Sequence, residues 1–380
     1  MNTIHHYFNE LGVLTSRQSL LDECERRFVK VKEHPGINRL LCLNYKDNVQ
    51  YDKCWDNFNR RCRGLVVSLE KNKIGKIISH SYDKFFNLNE MPETSYETLV
   101  TKGPFKISEK LDGSMIVAGY DGESNSWILN TRSEFENDYT KCAYSLLPSF
   151  FDQEEQLKNY TLIFELIHQD FRNVIDYKKK NYKEGLYLLG MRDIRTDRLL
   201  SRNEIEEIRI ASRPLQYFDM PKVYHFDTLD QVMEKTKTLP FTEEGFVIWY
   251  PDNTLVKIKS LEYIKIHRLI WNYSDDRVLE VLQEGTEKEL REYMVGVPEE
   301  FVKEIEEAIT KAKRAELEYT KQIYNLFNNA PRNNRKDFAI WVNSNVPLPL
   351  RSHLFTVMDN KPILKNKLFK QMRDDILAWK

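Results

Sequence analysis

The sequence predicts an α+β protein, with a mainly antiparallel domain followed by an all-helical C-terminal domain. Between about residues 64 and 260, short apolar runs of strand length recur with turn or helix signals between them. These runs are rich in β-branched and aromatic residues, which fit a half-buried pleated surface. From residue 273 onward the period becomes that of amphipathic helices. The composition, 41% hydrophobic and 30% charged, fits a folded globular chain rather than a disordered one. At 380 residues the chain is long enough for two domains, expected at residues 1–268 and 269–380.

Taken in order, "GLVVSLE" (64–70), "GKIISHS" (75–81), "SMIVAGY" (114–120), "SWILNTR" (126–132), "LIFELI" (162–167) and "LYLLGMR" (186–192) each predict a strand. "GFVIWYPDNTLVKIKS" (245–260) predicts a hairpin turning at Pro251, Asp252 and Asn253, residue types suited to a tight turn. Residues 134–160 and 201–210 read as helices. Pro298 followed by two acids opens a long helix with apolar or small residues at 301, 305, 308, 312, 315, 319, 323 and 326. Segments 275–295, 335–345, 350–358 and 363–379 also favour helix.

A formal net charge of -1, from 57 basic and 58 acidic residues, neither indicates nor excludes a nucleic-acid partner, since charges of one sign can gather on one face. The five cysteines are odd in number and contain no C-x-x-C, which reads as reduced thiols of the cytoplasm. "MNTIHHYFNELGVL" lacks the pattern of a signal peptide, and no apolar stretch approaches the ~20 residues of a membrane span. A cytoplasmic location without a membrane partner is expected. His5 and His6, and Cys54 with Cys62, fit no zinc spacing and are expected to be ordinary surface or core residues.

"KLDGSMI" (110–116) places Lys110 two residues before Asp112-Gly113. One reading is a solvated lysine beside a hairpin turn; the other is a nucleophile. If "LVKIKS" is a strand, Lys257 and Lys259 project from one face, because side chains alternate with period two. Two cations side by side suit either an anion between them or a solvated edge strand. Glu243 and Glu244 precede the hairpin, and Glu165 is a charge inside an apolar strand, where the ordinary reading is a solvent-facing position. "KKK" at 178–180 reads as a solvated turn. Together, lysines and carboxylates in one domain supply the groups that attack on phosphorus requires: an amine that can be made neutral, cations for phosphate oxygens, and carboxylates for a hydrated magnesium ion.

The order and spacing of these segments resemble the covalent nucleotidyltransferases, which include ATP-dependent DNA and RNA ligases and messenger-RNA capping enzymes. Within that superfamily the chain is most similar to the RNA ligase 1 family of T-even-type bacteriophages. The matching segments are "CRGLVV" (62–67), "DKFFNLNE" (83–90), "EKLDGSMI" (109–116), "FELI" (164–167), "EGFVIW" (244–249) and "VKIKS" (256–260). The resemblance covers roughly residues 35–267 and implies an ATP-grasp-like nucleotidyltransferase (adenylyltransferase) domain. It further implies that Lys110 takes AMP from ATP through a lysyl phosphoramidate. Lys257 and Lys259 would hold the α-phosphate and help expel pyrophosphate. Arg63 and Lys84 match contacts to the triphosphate, Phe86 and Tyr45 match contacts to the nucleotide, and Tyr263 in "SLEYIKIH" matches another. Glu165 and Glu244 would touch the ribose or order the water shell of magnesium, for which manganese could substitute. Asp112 and Gly113 complete the nucleophile motif, Gly113 allowing close backbone approach. Arg132 stands where the family usually has lysine, a change of donor geometry.

The activity so implied is an ATP-dependent RNA ligase that seals 5′-phosphate and 3′-hydroxyl ends, with cleaved transfer RNA as the substrate of repair and a monomer as the working form. A DNA ligase or GTP-using capping enzyme shares the core motifs, but an oligonucleotide-binding barrel is expected there in place of the helical pattern after residue 273. A non-catalytic RNA-binding protein of the same fold would not need the intact lysines and glutamates. The helical domain is expected to select RNA, with Lys311, Lys313, Arg314, Arg332 and Arg335 as basic positions that could meet a phosphate backbone.

Overall fold

The computed structural model describes residues 16–70, 73–271, 299–363 and 368. His5, His6, the segment 275–295 and nearly all of 363–379 lie outside the described residues. The chain divides into two compact units after Leu261.

Strands β1 (Val29–Glu33), β2 (Leu40–Tyr45), β3 (Arg63–Glu70) and β4 (Lys73–Ser79) form one sheet in sequential order. Next come β5 (Phe86–Asn87), β6 (Lys106–Glu109), β7 (Ser114–Asp121), β8 (Ser126–Asn130) and β9 (Tyr160–Ile167). They are followed by β10 (Gly185–Asp193), β11 (Arg198–Leu199), β12 (Val223–Tyr224), β13 (Gly245–Trp249) and β14 (Leu255–Lys259). A second sheet runs β11-β10-β9-β7-β8 and a third β12-β6-β13-β14-β5. Among the described strands every pairing is antiparallel except β14 with β5, so the expected mainly antiparallel α+β class is what the chain adopts.

Period-two alternation decides what each sheet face buries. On β9, Leu162, Phe164 and Leu166 enter a core shared with Ala143 and Ile205 from flanking helices. The opposite face carries Ile163, which packs with Leu199 of β11, Leu255 of β14, Val247 and Trp249 of β13, and Met115 of β7. That second cluster lies between the second and third sheets and forms the apolar floor beneath the charged residues described below. Helix Arg17–Arg26, capped by Ser16, lays Leu20 and Cys24 on the first sheet.

Helix 201–210 is present as Arg202–Ala211, but the single helix expected over 134–160 is not. Asn137 caps a shorter helix, Asp138–Ser145, and two 3-10 turns follow at Phe151–Gln153 and Glu155–Asn159. Pro148 supplies the reason, since it lacks the N–H that would continue the helix and its ring clashes with the preceding turn. In the second unit, helices Glu299–Asn329, Arg335–Asn345 and Leu348–Met358 bury Ala312, Ala315, Ile323, Phe338, Val342, Leu350 and Leu354 together. Ile305 and Ala308 of the expected stripe are also buried, and Tyr319 and Leu326 are partly so. Among the described residues no helix is long and apolar enough to cross a membrane. The five cysteines are free thiols, and burial pushes Cys24 and Cys42 up to about 12.

Candidate active site

Lys110, Leu111, Asp112 and Gly113 carry the chain from β6 of the third sheet to β7 of the second. The Asp-Gly pair is therefore no hairpin turn, and the reading of Lys110 as a solvated lysine beside one fails. Gly113 is required by close approach: a Cβ there would stand 2.4 Å from the carbonyl oxygen of Leu166 and 2.9 Å from Cγ of Glu165. Asp112 is 5% exposed, and its Oδ2 accepts from the backbone N–H groups of Val174 and Ile175, both at 2.9 Å. Asn173 Nδ2 donates to Asp112 Oδ1 at 3.2 Å and to the Gly113 carbonyl at 2.9 Å, while the Asp112 N–H donates to the Tyr177 hydroxyl at 2.5 Å. Asp112 thus fastens the crossing strand to segment 173–177, and the lysine two residues earlier is held with it.

Lys110 points at Glu244. Its Nζ lies 2.8 Å from Glu244 Oε2, and Lys259 Nζ lies 2.8 Å from Oε1 of the same carboxylate. Glu244 is 2% exposed; burial pushes its carboxyl up, but the two lysines hold it below its ordinary value. Burial likewise pushes the Lys110 ammonium down, and Glu244 with Glu165 holds it above its ordinary value. Gly245 pairs with Lys259 in the β13–β14 ladder, and its carbonyl accepts from the Lys110 N–H at 2.9 Å, so the three charges are fixed by backbone. A Cβ at Gly245, where φ is +138°, would meet the Ile258 carbonyl oxygen at 2.0 Å.

Lys257 shares a strand face with Lys259, as period two requires, but it has a different environment. Among the described residues no carboxylate pairs with it. Burial, followed by Lys84, Lys110, Lys259 and Arg63, holds its ammonium well below the ordinary lysine range. Its nearest neighbours include the Phe85 ring, 5.5 Å from Nζ to centroid, with Arg63 6.0 Å from the same ring. Glu165 is on the inter-sheet face of β9, beside Ile163, and not on a solvent face. Its Oε1 accepts from the Gly113 N–H at 2.9 Å. Burial pushes its carboxyl up to about 7, with Lys110 pulling it down and Glu244 pushing it up.

A second group of the expected residues gathers around Lys84. Its Nζ stands 5.7, 5.0 and 5.4 Å from the ring centroids of Tyr45, Trp55 and Phe86, and donates to the Gln50 side-chain oxygen at 3.2 Å. Burial holds the Lys84 ammonium below its ordinary value. The Tyr45 hydroxyl is pushed up by burial but brought below its ordinary value by Arg63, Lys84 and Arg132. Arg132, exposed just beyond β8, lies 5.5 Å above the Tyr45 ring, within range of a cation–π contact.

Lys110, Asp112, Gly113, Glu165, Glu244, Lys257 and Lys259 are thus brought together, with Tyr45, Arg63, Lys84, Phe86 and Arg132 forming an adjoining wall. Tyr263 belongs to the second unit, on helix Leu261–Trp271, where it is buried with its ring 5.6 Å from that of His267. Of the basic positions in the second unit, Arg314 pairs with Glu318, Arg335 with Asp359, and Arg332 lies over Phe327. Lys180 of the basic turn donates to the Thr242 carbonyl at 3.0 Å. Sequence reasoning missed Trp55, Phe85, Asn173 and Tyr177. The adjacency of Phe85 to Lys84 and Phe86 was its only signal; the other three have none.

Among the described residues no three His, Cys, Asp or Glu side chains converge as a metal cage. Glu165 and Glu244 flank Lys110 as two carboxylates. That donor set fits a hydrated magnesium ion, which keeps most of its waters and leans on one or two carboxylates plus substrate phosphate.

A family model described as RNA ligase matches residues 61–263. The chain is 31% identical over 265 residues to a protein of Thermovibrio ammonificans named "Putative RNA ligase", covering 67% of this chain and 64% of that protein. It is 27% identical over 193 residues to an RNA ligase of Rhodothermus phage RM378, covering 41% of each chain. The chain therefore spans less than two thirds of the length of these curated relatives. In fold it is similar to an archaeal ATP-dependent RNA ligase, with a TM-score of 0.52 at 14% identity over 93% of this chain and 97% of that one.

Proposed function

The chain belongs to the RNA ligase family, and from that premise we propose that it is an ATP-dependent enzyme sealing RNA 5′-phosphate and 3′-hydroxyl ends, cleaved transfer RNA being the substrate and a monomer the working form. The observation that carries the reading is the shared carboxylate of Glu244, which holds Lys110 and Lys259 while Lys257 beside them has, among the described residues, no anion of its own. A phosphate seated at Lys257 and Lys259 would supply the missing negative charge. It would also draw Lys259 away from Glu244 and leave Lys110 aimed at phosphorus. Lys110 must lose a proton to attack. The amine then forms a bond to the α-phosphorus of ATP as the bond to the bridging oxygen of pyrophosphate breaks. The AMP so held passes to the RNA 5′-phosphate, and the 3′-hydroxyl displaces it.

Catalysis in this reading is positioning and electrostatics, since the charge that grows on the phosphate oxygens meets fixed cations on a strand. Arg63 and Lys84 are suited to the outer phosphates, and Tyr45, Phe86 and Arg132 to the nucleotide. Magnesium, or manganese in its place, would supply further neutralisation of phosphate charge, with Glu165 and Glu244 holding its water shell. We assign the chemistry to the first unit and RNA selection to the helices of the second. The test is incubation with α-labelled ATP or GTP and magnesium, followed by transfer of the label to 5′-phosphorylated RNA or DNA. The reading expects acid-labile label from ATP alone and transfer to RNA. Label from GTP would turn the assignment to a capping enzyme, transfer to nicked DNA to a DNA ligase, and no label to a non-catalytic RNA-binding protein.

A further inference from the structure

A cleft of about 560 Å³ opens on the side of Lys84, Phe85 and Phe86 where the nucleotide wall ends. Its cationic lining comprises Arg60, Arg61, Lys84, Arg192 and Arg198. Three carboxylates, Asp83, Glu93 and Asp197, also line it, and Glu204 beyond the lining holds Arg198 at 2.7 and 3.1 Å, which leaves one positive charge in excess. The pairs differ in length. Arg60 holds Glu93 at 2.6 Å and Arg192 holds Asp83 at 3.0 Å. Arg61 stands 3.9 and 4.0 Å from Asp83 and Asp197. Arg198 is half exposed and pairs with Glu204 outside the lining. The hairpin-turn residues Asn253 and Thr254 and the end of β14 at Leu255 close the cleft on one side.

The position of the cleft follows the chemistry assigned to the first unit. Lys259, Lys257 and Leu255 point from one strand face, so the row runs about 13 Å from the Lys110 end to the cleft at ~3.3 Å per residue. In an in-line displacement at phosphorus, the entering and leaving groups stand on opposite sides. Lys110 enters opposite pyrophosphate in the first step. In the second step an oxygen of the RNA 5′-phosphate forms its bond to the same phosphorus as the phosphorus–nitrogen bond to Lys110 breaks, and the amine takes up a proton. The RNA must therefore enter from the side that pyrophosphate left, along Lys257 and Lys84 and away from Lys110.

We propose that this cleft is the track for the RNA strand bearing the 5′-phosphate, with Arg61 and Arg198 contacting backbone phosphates behind the reacting end. The proposal rests on the reading of the site as an RNA ligase. The same phosphate chemistry could belong to the outer phosphates of ATP, and the experiment separates the two sources. Binding of a 5′-phosphorylated single-stranded RNA to the full chain is measured by fluorescence anisotropy across a salt series. Lysyl-AMP formation from ATP is measured in parallel. Variants are Arg61→Ala with Arg198→Ala, and the charge-keeping Arg61→Lys with Arg198→Lys.

The alanine pair should weaken RNA binding about tenfold or more, since hydrogen bonds between charged groups are the stronger ones. It should also lower the slope of log K against log salt by about 0.7 for each phosphate that is no longer bound. The lysine pair should retain the slope, and lysyl-AMP formation should stay within about twofold of the parent in both. RNA affinity and salt slope unchanged in the alanine pair would overturn the track. So would a raised ATP requirement with RNA binding intact, which would give the cleft to the nucleotide. A parent protein that never forms lysyl-AMP would instead defeat the ligase reading, while the binding arm would still decide whether the cleft holds RNA.

Discussion

Two clusters of buried charge lie in the first unit, and they differ in how their charges are matched. In one, His80 sits between Asp197 at 2.7 Å and Asp83 at 3.2 Å, and Arg192 reaches the same two carboxylates at 3.3 and 3.0 Å. Arg61 stands 3.9 and 4.0 Å from the same two aspartates, so three cations meet two anions. Burial and Arg192 push the His80 imidazolium down, but the two aspartates hold it above its ordinary value, and both aspartates are held below theirs. In the other cluster, Glu244 serves two lysines at once and Lys257 is left among cations, its ammonium forced well below the ordinary range. In the first arrangement every cation has both aspartates within 4.0 Å. In the second, Lys257 has no carboxylate partner among the described residues, and a bound phosphate would supply one.

The contrast predicts that damage to the two clusters separates cleanly. Lys110→Ala should reduce AMP capture to background, and Lys110→Arg should not restore it, because a guanidinium stays protonated and cannot attack. Sealing of RNA supplied with a ready-made 5′-adenylate should survive in part. Lys257→Met and Lys259→Met should each slow lysyl-AMP formation by about 10²–10³-fold, the range for loss of one preorganised electrostatic group. Lys257→Met should leave unfolding by urea unchanged or slightly harder, since it removes a buried charge from like neighbours. A clear loss of stability in Lys257→Met would break the comparison.

His80→Asn should do the reverse, lowering stability by about 3 kcal/mol, as expected when one partner leaves a buried pair. The sign with pH follows from the shifts. His80 is raised in the folded state, so its contribution is full below about pH 6.5 and fades as pH rises through the folded value. Asp83 and Asp197 are lowered, so theirs is full above about pH 4 and fades with acid. The variant should therefore lose more stability at pH 5.5 than at pH 8.5 in urea titrations. An equal loss at both would show that His80 is not charged in the fold. The smallest effect is expected from Tyr177→Phe, which removes the acceptor of the Asp112 N–H. A drop of about 1 kcal/mol in stability with a few-fold slower AMP capture would fit removal of a single hydrogen bond.

Most of the lysine cluster was legible in the sequence, and most of the His80 cluster was not. Lys257 and Lys259 could be put on one face because period two is a property of any strand, and β14 obeys it. Glu165 was recognisable as a charge in an apolar strand, but its facing inward depends on which sheet packs against β9, a fact of topology rather than of local pattern. The Asp112-Gly113 pair had the composition of a hairpin turn, yet tertiary pairing of β6 with β13 and of β7 with β9 sends the two strands to different sheets. The His80 cluster draws on residues 80, 83, 192 and 197, and the cage of Lys84 on Tyr45, Trp55 and Phe86. Neither set has a spacing that a strand or helix period would reveal. The overextended helix at 134–160 failed for a local reason, Pro148, that the sequence did display.

The most direct measurement is the location of covalently bound AMP after incubation of the full chain with ATP and magnesium. The protein is digested under alkaline conditions, where a phosphoramidate persists, and the adenylylated peptide is sequenced by mass spectrometry. AMP is expected on Lys110 alone, carried by the peptide that contains Leu111, Asp112 and Gly113, and acid-labile. AMP on Lys257, Lys259 or any other side chain, or no AMP on a protein shown to be folded, would contradict that assignment.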